Sequence, residues 1–259
     1  MRADRQHLPR QLFRAMRVRE QEPMLAAKLG IELYEVMEEA GLQLWQHVVG
    51  QLAEGAKILV VCGRGNNGGD GYVLARLARA QGWCCRVVQV AAARALQGDA
   101  ARAQQAYCAS GGEVSDIEQP WPEADLLVDA VLGTGFSGVL RADYARYIQQ
   151  INQHPAPIVA VDVPSGVDAE TGCVESVAVY ASSTVTFVGV KQGLLTGAAP
   201  EYVGWLELAP LQLGAHLRPE AADAIKIALP QFHQLLSRRR ATSHKGVHGR
   251  VAIVGGQCG

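Results

Sequence analysis

The sequence of 259 residues has no uncharged apolar run near the ~18 residues that a membrane-spanning helix needs. It has no C-x-x-C pair. Its six cysteines are scattered, with only Cys84 and Cys85 adjacent, so neither a matched zinc pair nor a disulfide scaffold is expected. It has no excess of either charge. Lys plus Arg number 24 and Asp plus Glu 25, a formal charge of -1, which gives no reason to expect nucleic acid or a membrane as a main partner. It has no His and Cys ligand set, since the seven histidines are scattered, and a transition metal is not expected. It has no signal-like start, and with unpaired cysteines this sets the expectation of a cytoplasmic protein. The basic residues 1–20 read as a flexible arm or an upstream extension; Met16, Val18 and the early acidic residues argue against a transit segment.

What is present is a chain with 49% hydrophobic residues, enough for one large domain or one domain and part of another. It is organised around residues 57–80. Lys57 to Cys62 is a short apolar strand candidate, Gly63 to Gly71 a turn of Gly, Asn and Asp, and Tyr72 to Ala80 a helix by spacing. Before it, from Glu22 to Val48, the apolar positions repeat at helical spacing, with Gly30 and Gly41 dividing two or three amphipathic helices. After it come a strand at Cys84–Val90, a helix from Gly98 to Ser110, and a strand from Asp125 to Val131. A second glycine loop, Gly133 to Gly138, leads to a helix from Asp143 to Gln153. Further strands are expected at Ile158–Val163, Ala181–Val188 and Val203–Leu208, with a last strand-like run at Arg250–Val254 before Gly255 and Gly256. The alternation predicts an α/β, three-layer Rossmann-like fold: a mostly parallel central sheet with N-terminal amphipathic helices.

Gly63-x-Gly65-x-x-Gly68 has dinucleotide-fingerprint spacing. A redox site of that type also wants an acid at the end of the second strand, and Val87 to Ala92 holds none. Asp70 near the helix start would repel a phosphate unless turned away. Three strand ends converge by fold logic and bring Asn67, Asp129, Asp162 and Ser165 to one crevice. Their oxygens form a hard site suited to a cation. Asp162 interrupts a buried strand, where an unpaired carboxylate is costly. Lys191 is either its charged partner or a snorkelling surface lysine.

Gly63 to Gly71, read as G-x-G-N-N-G-G-D-G, resembles the signature of the NAD(P)HX epimerase family, the YjeF N-terminal domain. Asp129 to Gly138 and Asp162 to Asp168 resemble its second and third signatures, and the helix at Met37 to Gly41 its start. The resemblance implies a substrate, NADHX or NADPHX, that is a hydrated dinucleotide and not a redox cofactor. It implies that Asn66, Asn67, Gly68, Gly69, Asp70, Gly133, Thr134, Gly135, Phe136, Ser137, Gly138, Val139 and Asp162 line that substrate. It implies a potassium ion on Asn67, Asp129 and Ser165, and acid–base work by Asp162 with Lys191. The amphipathic N-terminal helices suggest a homodimer or higher homo-oligomer, and the charge balance gives no nucleic acid or membrane partner. The run from His244 to Gly256 resembles the opening of a ribokinase-like NAD(P)HX dehydratase domain. The expected division is therefore an arm at 1–20, the epimerase domain at 21–235, and a linker with a truncated dehydratase start at 236–259. Dehydratase activity is expected to be absent from this segment. A catalytically weak nucleotide-binding module acting through protein partners is the alternative.

Overall fold

The computed structural model describes residues 7–90, 95–218 and 221–227. The stretch from His244 to Gly256, with the strand-like run Arg250–Val254, lies outside the described residues.

Chain order runs β1 (Gln11–Leu12), α1 (Ala15–Leu29), α2 (Leu33–Val49), β2 (Lys57–Cys62), α3 (Asn66–Ala80) and β3 (Cys84–Gln89). It continues with α4 (Gly98–Ala109), β4 (Val114–Asp116), β5 (Leu126–Ala130), α5 (Ala142–Gln153), β6 (Ile158–Val161) and β7 (Ser183–Phe187). β8 (Trp205–Ala209), α6 (Leu211–Gly214) and β9 (Ala224–Ile225) complete it. Seven strands form one sheet in the order β4-β3-β2-β5-β6-β7-β8, and each neighbouring pair is parallel.

The strands are continuous apolar runs because both faces are covered. Val60 and Val128 pack with residues of α2, α3 and α4. Leu59, Val61 and Leu127 pack with Tyr147, Ile148 and Ile151 of α5. Side chains alternate across a strand, so one strand feeds two apolar layers and the expected three-layer arrangement results. The strand order reverses between β2 and β5, the usual position of a ligand crevice in such a sheet.

Four local expectations are corrected. The helix after β2 starts at Asn66, not Tyr72, so the Asn-Asn-Gly-Gly-Asp-Gly run forms its first turns. Gly68 lets that start sit on the preceding turn: a Cβ there would lie 2.2 Å from the Gly63 carbonyl oxygen. Gly41 does not divide helices; it lies inside α2, where α2 meets Val73 of α3 too closely for a side chain. The first helix starts at Ala15, ahead of Glu22, and Gly30 caps its end in the left-handed conformation. Finally, the short edge strand β4 pairs with β3 in a stretch given no element from the sequence.

Candidate functional site

A cavity of about 890 Å³ opens at the carboxyl ends of the central strands. Its walls include Arg19 and Glu22 of α1, Asn66, Asn67 and Asp70 of α3, residues 133–137 and Val139 of the second glycine loop, Asp162, and Lys191.

Asp162 follows β6 directly and takes a left-handed backbone, φ 62°. Val188, just after β7, does the same at φ 66°. A β-branched residue pays for that conformation in sterics, and such strain collects at functional sites. The turn at Asp162 is held by its own N–H on the Val185 carbonyl, 2.7 Å. The carboxylate is 9% exposed. Oδ1 accepts from Lys191 Nζ at 2.5 Å, Thr186 Oγ1 at 3.1 Å and the Phe187 N–H at 3.2 Å. Oδ2 has no such donor among the described residues and remains for the cavity.

Lys191 is 2% exposed, so it is a buried partner and not a surface lysine. Its Nζ also donates to Thr186 Oγ1 at 3.1 Å and the Phe187 carbonyl at 2.8 Å. An ammonium has three protons, and all three are used inside the protein.

Asp70 lies in the first turns of α3 and is 9% exposed. It has no hydrogen bond or ion pair with a described residue. Burial holds its carboxyl well above the ordinary aspartate range, with the negative charges of Asp162 and Glu22 adding to the effect and Lys191 opposing it. Burial also raises Glu22.

Asp129 and Ser165 are both 0% exposed and are not among the residues that line the cavity. Ser165 donates to the carboxylate through Oγ at 2.6 Å and its N–H at 2.8 Å, and the Val131 N–H adds a third bond at 3.2 Å. Ser165 Oγ in turn accepts from the Leu132 N–H at 2.8 Å. Asp129 has no ion pair among the described residues, and burial pushes it up to about 6 despite these donors. Asn67 Oδ1 lies over the neighbouring Gly133, where a Cβ would come within 2.9 Å of it, and Asn67 Nδ2 is buried without a partner. The Asp129 carboxylate thus has the Ser165 hydroxyl on it and no ion pair among the described residues, and Asn67 stands against Gly133 of the neighbouring loop. Among the described residues, no group of three or more His, Cys, Asp or Glu could hold a metal ion.

Three residues of the expected lining do not face the cavity. Gly68 abuts Gly63, Gly69 abuts Met37 and Ala100, and Gly138 forms the left-handed turn of its loop at φ 76°. Arg19 and Glu22, by contrast, escaped the sequence reading. They lie outside every glycine-rich motif, and helical spacing alone does not mark a residue that faces a cavity. At the end of β3, where a redox site would carry its acid, Gln89 is buried and bonded by Tyr72 and Gln104.

Residues 33–193 match the family described as YjeF-related protein N-terminus. The chain is 41% identical over 253 residues to the bifunctional NAD(P)H-hydrate repair enzyme Nnr of Escherichia coli, covering 97% of this chain and 49% of that protein. It is 42% identical over 240 residues to the enzyme of the same name from Pyrobaculum aerophilum, covering 88% and 46%. The chain thus spans about half the length of these curated relatives. The crystal structure of yeast ynu0, YNL200c, shares the fold with a TM-score of 0.62 at 23% identity, over 81% of this chain and 85% of that one. With its three glycine- and acid-bearing strand ends meeting at one cavity, this chain belongs to the YjeF-related N-terminal domain family.

Proposed function

We propose that this chain interconverts the R and S forms of hydrated NADH and NADPH at C6 of the nicotinamide ring. The relatives' description as NAD(P)H-hydrate repair enzymes supports the substrate class. The observation that carries the chemistry is Asp162: one oxygen is fixed by Lys191 and the other is left for the cavity.

C6 bears a hydroxyl next to the ring nitrogen. Protonation of that hydroxyl lets the nitrogen lone pair form the N1–C6 double bond as the C–O bond breaks and water leaves. Water then adds to C6 from the opposite face and gives up a proton. The protein must supply an acid–base group at C6 and fixed charge around the cationic intermediate. Asp162 takes that place in our reading. Lys191 acts through Asp162 as a positioning residue, since its three protons are already engaged. The backbone N–H groups of the loop from Gly133 to Val139 would wrap the pyrophosphate. Asn66 and Asn67 would border the rest of the dinucleotide, and Asp70 would also line the substrate. A potassium ion held by Asn67, Asp129 and Ser165 would supply positive charge beneath these loops and tie them together. We take the domain, whose first described element is β1, to act as a homodimer or higher homo-oligomer.

Purified protein mixed with the R hydrate should produce the S form faster than buffer does. In heavy-oxygen water, each inverted molecule should carry one solvent oxygen. Asp162→Asn keeps a residue type that tolerates the left-handed backbone and should slow exchange by roughly 10²- to 10⁴-fold. Wild-type protein that binds the hydrate but leaves its exchange at the buffer rate would point instead to a nucleotide-binding module acting through protein partners.

A further inference from the structure

We infer that Asp70 is a second catalytic carboxyl, working opposite Asp162 as its acid–base counterpart; this rests on the epimerase reading above. Three carboxyl residues line the one cavity, Glu22, Asp70 and Asp162, and the protein treats the two buried ones, Asp70 and Asp162, differently. Asp162 is gripped by a buried ammonium, a hydroxyl and a backbone N–H. Asp70 is equally buried yet receives no donor from a described residue. Burying a carboxyl without a partner is costly unless it keeps its proton. A neutral acid beside an ionised one is how paired carboxyls divide donor and acceptor roles.

Nothing about the local helix explains the residue. Asp70 is not the cap of α3, which is Gly65, and it bonds to none of the free N–H groups of the first turn. The charged and titratable groups around it come from four parts of the chain. Glu22 is on α1, Cys62 ends β2, Asp162 follows β6 and Lys191 follows β7. Three of these are anionic when ionised and only Lys191 is cationic. The surroundings therefore favour the protonated form of Asp70.

An epimerase must treat two mirror-related approaches to one carbon. With two carboxyls, each face of the ring has its own group. In one direction the Asp70 carboxyl gives its proton to the leaving hydroxyl, and the C6–O bond breaks to release water. The attacking water arrives on the other face and passes its proton to the Asp162 carboxylate. The forward turn thus moves one proton from Asp70 to Asp162. The reverse turn, starting from the other epimer, uses protonated Asp162 as the acid and ionised Asp70 as the base, and returns it. No oxidant or further reactant is required.

The test is Asp70→Asn, which keeps the shape and removes the proton. Dinucleotide-hydrate affinity should stay within about threefold of wild type, while kcat falls roughly 10²- to 10⁴-fold. The wild-type kcat/KM profile should have an alkaline limb well above the pH at which an ordinary aspartate ionises, and any residual activity of the variant should lack it. A variant within about threefold of wild-type kcat, or one that loses affinity and keeps kcat, overturns the assignment. If the variant does not fold, the wild-type profile decides alone, and the absence of an alkaline limb overturns it. A wild-type protein that does not accelerate exchange at all overturns the epimerase reading and this inference together. An active wild type with an indifferent Asp70→Asn sinks only the second.

Discussion

Lys191 has three protons, and each already has an acceptor. Its value lies in charge and geometry. Breaking a buried ion pair from one side leaves an uncompensated charge, at a cost of about 3–5 kcal/mol. Lys191→Met should therefore lower unfolding stability by about that amount in urea. It should also slow epimer exchange, because Asp162 loses the contact that fixes Oδ1. Adding Asp162→Asn to Lys191→Met should recover part of the stability and none of the activity, since the orphaned charge is gone but the acid–base group is too. A Lys191→Met protein within about 0.5 kcal/mol of wild type would mean that the pair contributes little in solution.

At the scale of elements, the site depends on how closely strand ends and loops approach. A Cβ on Gly63 would lie 1.9 Å from the Val131 carbonyl oxygen, where β2 runs beside the end of β5. One on Gly65, two residues on, meets nothing within 4 Å, and its φ of -98° suits any residue. Gly63→Ala should lose at least about 1–3 kcal/mol of stability, whereas Gly65→Ala should stay within about 0.5 kcal/mol. Paired urea titrations compare them; equal losses would show that the turn relaxes freely.

The junction of β5 with the loop after β6 carries a second prediction. Asp129 rises from 3.8 to about 6 in the folded protein. The folded state then holds a proton that the unfolded chain has released, so stability falls as pH rises from 3.8 to about 6. The loss amounts to roughly 3 kcal/mol once the carboxylate is fully ionised. A cation bound to ionised Asp129 opposes that loss. Potassium should raise the melting temperature at about pH 8 and do little at about pH 5, where the carboxyl is largely protonated. Asp129→Asn should remove the difference between the two pH values. Equal potassium responses in wild type and variant would exclude this carboxylate as the ligand.

Legibility at this scale followed the source of each element's stability. Runs such as Lys57–Cys62 and Ile158–Val161 were readable because burial on both faces demands unbroken apolar sequence. The start of α3 was not. Asn and Gly are poor helix formers, and the turns from Asn66 to Gly71 lie close against Met37 and Ala130, which no local window contains. The three signature loops marked the cavity. The grip of Lys191 on Asp162, across 29 residues of sequence, and the isolation of Asp70 required the folded geometry.

For the whole molecule, the N-terminal segment is part of the structure from Leu8 onward. Leu8, Leu12 and Phe13 are 4%, 6% and 5% exposed. Leu8 and Leu12 pack with Val163, Val167, Val190 and Leu194, and β1 pairs antiparallel with β9, closing the first segment against the last described one. The basic residues around these three hide them in the sequence, which is why an arm was the natural reading. Phe13 also bonds the backbone at two points: its N–H donates to the Val190 carbonyl at 2.9 Å, and its carbonyl accepts from the Gln192 N–H at 2.8 Å. Lys191 is the residue between them. The segment continues into α1, which carries Arg19 and Glu22 to the cavity wall from outside the matched span 33–193. Deleting residues 1–13 should therefore affect stability and site together. Losing the burial of three large side chains at about 1.5–3 kcal/mol each removes roughly 5–9 kcal/mol, against a usual total of about 5–15 kcal/mol. The deleted protein should be largely unfolded at about 37 °C or melt far below the full chain. A milder change, Phe13→Ala, should leave a folded protein with slower exchange, because the backbone beside Lys191 loses the ring that packs on Gly189. Thermal melts and epimer-exchange rates separate the two effects. A deletion variant with wild-type melting temperature and rate would return residues 1–13 to the status of an arm.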